Sequence, residues 1–295
     1  MFIRIATTLA LLALSTQADY ASAQQDLRWK FRAQETIRYN VQQKMQTKMK
    51  IGDNDLNQSM EQVMDMSWHV QSSSANGDTV MNQVVDRISM KMEGGPAGTV
   101  AFDTNNNVKS ENPIINSMGE MFRQIVNQKF QVTMKPTGQI TDVQVPAQLL
   151  EALRRSAAGN PGALDETSLQ QMMKQSAVML PGQPVALRNT WNSQQSVQLG
   201  FGTMNIKSEM TFIEVDTTGN AIIRVVPEIS VVPKPDAPIR MTLTSSTGQG
   251  EVAFNIAQGR VAKSQLDLEM AMTIESNGQS FQQNINQVTT MTLVP

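Results

Sequence analysis

The chain has 295 residues, a formal net charge of -2 at pH 7 and only 17% charged residues, a balance that gives no electrostatic basis for holding nucleic acid or an anionic membrane surface. It contains no cysteine, which excludes disulfides, thiolate metal sites and cysteine nucleophiles together. Its 21 methionines supply flexible, polarizable side chains suited to irregular cores or adaptable binding surfaces.

Residues 1–23 read as a secretory signal. Arg4 provides the positive start, Ile5 to Leu14 a short apolar run, and Ala21-Ser22-Ala23 a small-x-small cleavage site before Gln24-Gln25. The apolar run is shorter than the roughly 20 residues that span a bilayer. The alternative is an uncleaved N-terminal anchor. After cleavage the expectation is a mature protein of residues 24–295 that is not an integral membrane protein, in the periplasm or outside the cell.

Ile37 to Ile51 then alternates with period two. Ile37, Tyr39, Val41, Met45, Met49 and Ile51 face one way, and Arg38, Asn40, Gln42, Lys44, Gln46, Lys48 and Lys50 the other, the mark of a strand with one buried and one wet face. At about 3.3 Å per residue it would be about 50 Å long. The next strand turns Met60, Met64, Met66, Trp68 and Val70 inward, with Glu61, Asp65, Ser67 and His69 outward. Val80, Val84, Ile88, Met90 and Met92 continue the core face. Further strands carry Met204, Ile206, Met210 and Phe212, then Leu266, Leu268, Met270, Met272 and Ile274, then Ile285, Met291 and Leu293. Turns are predicted at Asn76-Gly77, Pro136-Thr137-Gly138, Thr218-Gly219-Asn220 and Asn277-Gly278.

Three helices interrupt the strands. Asn112 caps the first and Pro113 opens it, with Ile114, Ile115, Met118, Met121, Phe122, Ile125 and Val126 on one stripe. Pro146 starts the second, with Leu149, Leu150 and Leu153 inward and Arg154-Arg155 outward; Ser156 to Leu164 reads as a loop. Thr167 and Gln170 suggest a capping box for the third, which carries Leu169, Met172, Met173 and Met179 before Leu180-Pro181-Gly182 ends it. The expected fold is α+β, predominantly β: a large curled antiparallel meander of long strands, with about three helices covering the concave face.

Two stretches resemble each other. Val84-Val85-Asp86-Arg87-Ile88-Ser89 matches Val225-Val226-Pro227-Glu228-Ile229-Ser230, and Gly98 to Asp103 matches Gly250 to Asn255. Gly77 and Gly219 precede these matches, and Lys109-Ser110 and Lys263-Ser264 follow them. The expectation is one domain, residues 24–295, with duplicated halves (about 24–145 and 188–295) joined by a helical segment 146–180, and with Phe102 and Phe254 equivalent and buried.

Little chemistry stands out. His69 is the only histidine. It shares a strand face with Ser67 and Asp65, but strand neighbours two apart stand about 7 Å apart, too far for a hydrogen-bonded triad. Asp53-Asn54-Asp55-Leu56-Asn57 and Asp103-Thr104-Asn105-Asn106-Asn107 resemble the start of a calcium loop. They lack its sixth-position Gly (Gln58, Val108) and twelfth-position Glu (Met64, Ile114). Gly248-Gln249-Gly250 joins strands and opens no helix, so it is not a phosphate loop. No catalytic, cofactor-binding or metal-ligating residue is assigned.

Several landmarks together resemble the secreted bacterial proteins of domain-of-unknown-function family 6263. They are Trp29-Lys30-Phe31, Glu35-Thr36-Ile37-Arg38-Tyr39, the Gly-x-Val-Ala-Phe-Asp strand, Pro136-Thr137-Gly138, Leu180-Pro181 with Pro184-Val185 and Trp191, and the Gly250-to-Phe254 strand. The resemblance implies a compartment and a fold, and no site residues. Its pattern would place Gly before Glu35, where this chain has Gln34, and Gly-Asp before the tryptophan, where it has Arg188-Asn189. More distantly, the long curled strands look like periplasmic lipoprotein-carrier half-barrels.

Three readings stay open. The leading one is a non-enzymatic envelope protein that binds a hydrophobic small molecule, a lipid or an envelope protein on a Met-rich concave face. Its lining would include Met64, Met66, Met90, Met92, Met118, Met121, Met172, Met173, Met270 and Met272. The second is a packed structural or assembly protein. The third is a hydrolase with a carboxylate pair that the sequence does not single out.

Overall fold

The computed structural model describes residues 24–52, 54–95, 98–106, 113–151, 166–174, 176–235, 237–276 and 278–295. The signal segment, the Asn112 cap, Asp53, Lys109-Ser110, Leu153, Arg154-Arg155 and the 156–164 loop lie outside the described residues. So do the side chains of Met118 and Met172.

Alternation becomes strands of unusual length. β1 (Thr36–Ile51) and β2 (Asn54–Ser73) form a hairpin, followed by β3 (Thr79–Gly94) and the short β4 (Val100–Asp103). Helix α1 (Pro113–Ile125) leads to β5 (Lys129–Met134) and β6 (Ile140–Gln144). After a helical turn at 147–151 come α2 (Glu166–Lys174), β7 (Thr190–Leu199), β8 (Gly202–Val215), β9 (Asn220–Pro233), β10 (Ile239–Asn255), β11 (Arg260–Ser276) and β12 (Gln279–Val294). All twelve strands belong to one open sheet in the order β6-β5-β3-β2-β1-β12-β11-β10-β9-β8-β7, with β4 paired to β3 beside this path. The first and last strands therefore meet in the middle, from Arg38↔Val294 to Lys50↔Gln282.

The register sets the inner face. Ile37, Tyr39 and Val41 stand opposite Trp68, Met66 and Met64 on one side, and Tyr39 and Val41 opposite Leu293 and Met291 on the other. Leu266, Leu268, Met270 and Met272 extend this face on β11. On β3 the expected parity needs correction. A bulge where Asp65↔Arg87 is followed by Met66↔Val85 inserts one residue and flips the strand's faces. Ile88, Met90 and Met92 stay inward, but beyond the bulge the inward residues are Met81 (0% exposed) and Gln83 (2%), with Val80 and Val84 on the other face.

The duplicated motifs do not occupy equivalent places. Val100 and Phe102 of β4 pair with Met92 and Met90, at the far end of β3. Val252 and Phe254 pair with Ile223 and Ala221, at the near end of β9. Phe254 is fully buried, whereas Phe102 is half-buried and stacks on Phe122 of α1 at 5.3 Å. The topological counterpart of Gly250–Asn255 is β5, which pairs with Thr79 to Val84.

One end of the curled sheet is closed by a packed core. Leu27, Trp29, Tyr39, Trp68, Phe212 and Phe254 belong to it, with Val132, Met134 and Val261. Trp29 organises this end: it stacks on Phe31 at 5.9 Å, tilts against Trp68 at 5.7 Å and meets Phe254 edge-on at 5.6 Å. The segment that carries it crosses between two hairpins, donating from Trp29 N to Pro136 O at 2.8 Å and from Lys30 N to Gly259 O at 2.9 Å. Gln25 exchanges backbone hydrogen bonds with Val185. The Glu35 carboxylate meets Arg260 at 3.0 Å, both mostly buried, across 225 residues of chain.

Both edges of the sheet are managed by α2, which contacts β6 and β7. Ser168 Oγ donates to Gln198 O, and Gln198 N donates to Gln171 Oε1, each at 2.8 Å. These bonds satisfy part of an edge that would otherwise be open to pairing. The helix begins at Glu166, so Thr167 lies inside it and the expected capping box does not form; Met179 lies beyond its end. Gln34 and Arg188 adopt left-handed backbone, each at φ 66°, at the two positions where the resemblance leads one to expect glycine.

Candidate functional site

Beyond α2 the chain continues as a strap, residues 176–185, which joins the packed core at the closed end of the curled sheet. Hydrogen bonds hold it along its length, besides the backbone pair between Gln25 and Val185. Trp29 Nε1 donates to Val178 O at 3.0 Å, and Trp191 Nε1 to Met179 O at 3.0 Å. Leu180 N donates to Thr137 O at 2.8 Å, in the β5–β6 turn. Two indoles, one 149 positions before the residue it holds and one 12 positions after, thus anchor one short segment.

Beneath the strap lies a cavity of ≈ 450 Å³, within the roughly 300–1,000 Å³ of ordinary ligand pockets. Its wall is drawn from strands far apart in the sheet: Tyr39 and Val41 of β1, Met64, Met66 and Trp68 of β2, Met210 of β8, Val225 of β9, Val252 of β10, Leu266 of β11 and Met291 of β12. Ala177, Val178 and Met179 form its cover. Neutral polar residues are interspersed in the wall, among them Ser193, Gln195, Ser208, Ser264 and Thr289. No Asp, Glu, Lys, Arg or His is among the lining residues.

Tyr39 is 1% exposed and Trp68 2% exposed. Among the described residues the Tyr39 O–H and the Trp68 Nε1–H have no hydrogen-bond partner. Burial pushes the Tyr39 phenol up, above its ordinary value of 10.0, against the lowering influence of Arg260, so the group stays protonated. Buried polar groups are paired in the great majority of native structures, which makes these two unusual.

The anticipated methionines divide. Met64 and Met66 line the cavity. Met90 and Met272 are buried, and Met92 and Met270 half-buried, further along the same concave face. Met173 packs against the core. Met121 departs from expectation: at 49% exposed it faces water, because the stripe of α1 meets the sheet through Phe122. Alternation alone did not find the strap or the neutral polar wall. The available signal was the run of polar residues at inward parity, Ser193, Ser208 and Ser264.

Elsewhere the polar clusters are structural. His69 Nδ1 lies 3.0 Å from Thr36 Oγ1. Ser67, expected to face water, is buried and donates to Asp86 at 2.5 Å. Asp65 accepts from Asn40 at 2.7 Å and stands 3.5 Å from Arg87, so serine, histidine and aspartate form no chain. Arg87 also grips Asp103 at 2.6 Å and holds that carboxyl below its ordinary value; Asp103 in turn accepts from Asn105 N at 3.0 Å. Gly248-Gln249-Gly250 lies inside β10 and does not join strands. An added Cβ at Gly248 would collide with Leu268 and Pro227. Among the described residues no group of three or more His, Asp or Glu could hold a metal ion, and no helix is long and apolar enough to cross a membrane.

The fold defines an open, curled antiparallel sheet with a partly open cavity beneath a strap. The chain belongs to the family of unknown function DUF6263, whose model matches residues 76–280. No curated protein matches it. Among solved structures it is similar to a lipovitellin described for its lipid–protein interactions, at 11% identity and TM-score 0.48, covering 90% of this chain. This chain spans 26% of the lipovitellin chain. It is also similar to a DUF1329 family protein from Desulfovibrio piger, at 9% identity and TM-score 0.16, covering 84% of this chain and 83% of that one. A domain from Vibrio parahaemolyticus, assigned by its description to an outer membrane lipoprotein-sorting protein, has 8% identity, TM-score 0.14 and the same coverages. At these scores none of the three bears on the reading of the site.

Proposed function

We propose that this chain is an exported, non-enzymatic envelope protein, a single domain over residues 24–295, that carries the acyl part of a lipid beneath its strap. The observation that supports this is the ≈ 450 Å³ cavity with its apolar, uncharged lining. Met64 and Met66 would adapt to chains of varied shape, and Met90, Met92, Met270 and Met272 would extend the apolar path. Export rests on the signal-like residues 1–23. A second reading, a packed assembly protein with an envelope partner, draws on the closed end, where the chain's own aromatic residues fill the interior.

The test is native mass spectrometry of the full chain recovered from the envelope or medium. A lipid-sized adduct is expected, on a protein beginning at Gln24, and lost on cavity filling by Val225→Trp. Absence of any adduct, together with no binding of an apolar fluorescent dye, would overturn the carrier reading in favour of the scaffold. An intact Met1 on cytoplasmic protein would overturn export.

A further inference from the structure

The unpaired donors are clustered. Trp68 stands directly across from Gln83 on β3, and its ring meets Tyr39 of β1 edge-on at 5.1 Å. Gln83 is 2% exposed, and its Nε2 also has no partner. Three neighbouring strands therefore bring three buried donors, Tyr39 O–H, Trp68 Nε1–H and Gln83 Nε2–H, to the closed end of the inner face without an acceptor among the described residues, and of the three Tyr39 and Trp68 line the cavity. An unmatched buried donor carries its full desolvation cost, so its natural complement is an acceptor that arrives with the ligand.

Charge narrows that acceptor. The cavity lining holds no ionisable side chain apart from the Tyr39 phenol. The charges that act on Tyr39 are those of Glu35 and Arg260, which pair with each other. A carboxylate or phosphate placed here would be buried without a counter-charge, which is costly. A carbonyl oxygen of an ester or amide accepts hydrogen bonds and brings no charge.

We infer that the ligand is a neutral lipid bearing an ester or amide linkage, whose carbonyl oxygen is bound at Tyr39 and Trp68, both in the cavity wall, while its acyl chain lies along Met64 and Leu266. This rests on the carrier reading above. Met66, directly opposite Tyr39, is the flexible side chain that gives way as the oxygen enters.

Three twelve-carbon probes compete with an apolar dye on the delipidated full chain at pH 7.4: dodecane, methyl dodecanoate and dodecanoate. Methyl dodecanoate should displace the dye about five- to tenfold more tightly than dodecane, the range of one net hydrogen bond, and more tightly than dodecanoate. Tyr39→Phe should remove most of that advantage, so that methyl dodecanoate and dodecane bind nearly alike; Trp68→Phe serves in its place if that variant does not fold. Equal binding of ester and alkane would overturn the acceptor site while leaving the carrier reading intact. Tightest binding by dodecanoate would overturn the neutral ligand. Failure of all three to bind, with the dye itself unbound, would overturn the carrier reading together with this one.

Discussion

The indole of Trp29 donates from Nε1 to the carbonyl oxygen of Val178 at 3.0 Å, so a residue near the start of the described chain holds down the cover of the cavity 149 positions later. Trp29→Phe keeps an aromatic ring in the core but removes the donor. Unfolding by urea should show a loss of about 1–2 kcal/mol. Hydrogen exchange at the strap amides should rise more than exchange in β11 and β12. Equal acceleration in all three would mean that the bond supports the whole fold and not the strap.

Gly138 tests the same contact from the other side. It has φ +86°, and an added Cβ would lie inside contact distance of the Val178 carbonyl oxygen and 2.9 Å from Trp29 Nε1. Gly219 has a similar φ, +81°, with nothing within 4 Å. Gly219→Ala should cost about 1–2 kcal/mol from backbone strain alone. Gly138→Ala adds the collision and should cost about 3 kcal/mol or more. Equal losses would show that the strap yields freely.

Gln34 and Arg188 hold left-handed backbone at φ 66° without the freedom of glycine. Gln34→Gly and Arg188→Gly should each stabilise the protein, by up to about 1 kcal/mol, as relief of strain exceeds the added unfolded-state entropy. Asn189 should be left alone, since its Oδ1 accepts from Ala186 N at 2.9 Å. Thermal unfolding of the two single variants checks this; a fall in both midpoints would mean that the side chains of Gln34 and Arg188 do more for stability than the strain costs.

Asp216 is held at a pKa of about 2, below the ordinary 3.8, first by the backbone N–H of Asn220 and then by the Thr218 hydroxyl. A carboxyl depressed in the folded state contributes stability that is whole above its unfolded value and lost as pH falls through its folded one. Asp216→Asn should therefore be less stable than the parent at pH 5, with the gap closing between about pH 4 and pH 2. Urea midpoints at pH 5, 3 and 2 measure it. A gap constant across that range would show that hairpin geometry, and not the charge, matters.

Much of the fold was legible because period-two alternation has one physical cause, a sheet with one face away from water. The inward residues of β1, β2, β11 and β12 follow from it directly. It failed on β3 because a bulge is a one-residue insertion with no compositional mark, and the side chains that precede Asp86 lie on the face opposite to the one expected. The repeat of Gly-x-Val-Ala-Phe was real as sequence similarity but mapped Phe102 onto the wrong neighbour. Strand register depends on the partner strand and the turn, which local similarity does not encode. Met121 was misassigned for a related reason: a helix stripe says which side is apolar, not how much of it the sheet reaches.

From sequence alone came the absence of disulfide and thiolate chemistry, the signal-like start, the long amphipathic strands and the family to which they belong, since each is a property of composition or of residues near one another in the chain. Only the tertiary structure decided that β1 and β12 close the middle of the sheet, that the segment after α2 crosses over as a strap, and that Tyr39 and Trp68 are left with unpaired donors in the wall of a neutral cavity. Those facts depend on how far the sheet curls and which distant groups it brings within 3 Å. Chain-local patterns fix neither, because curl is the accumulated twist of twelve strands and pairing is settled by whatever the closed fold places opposite.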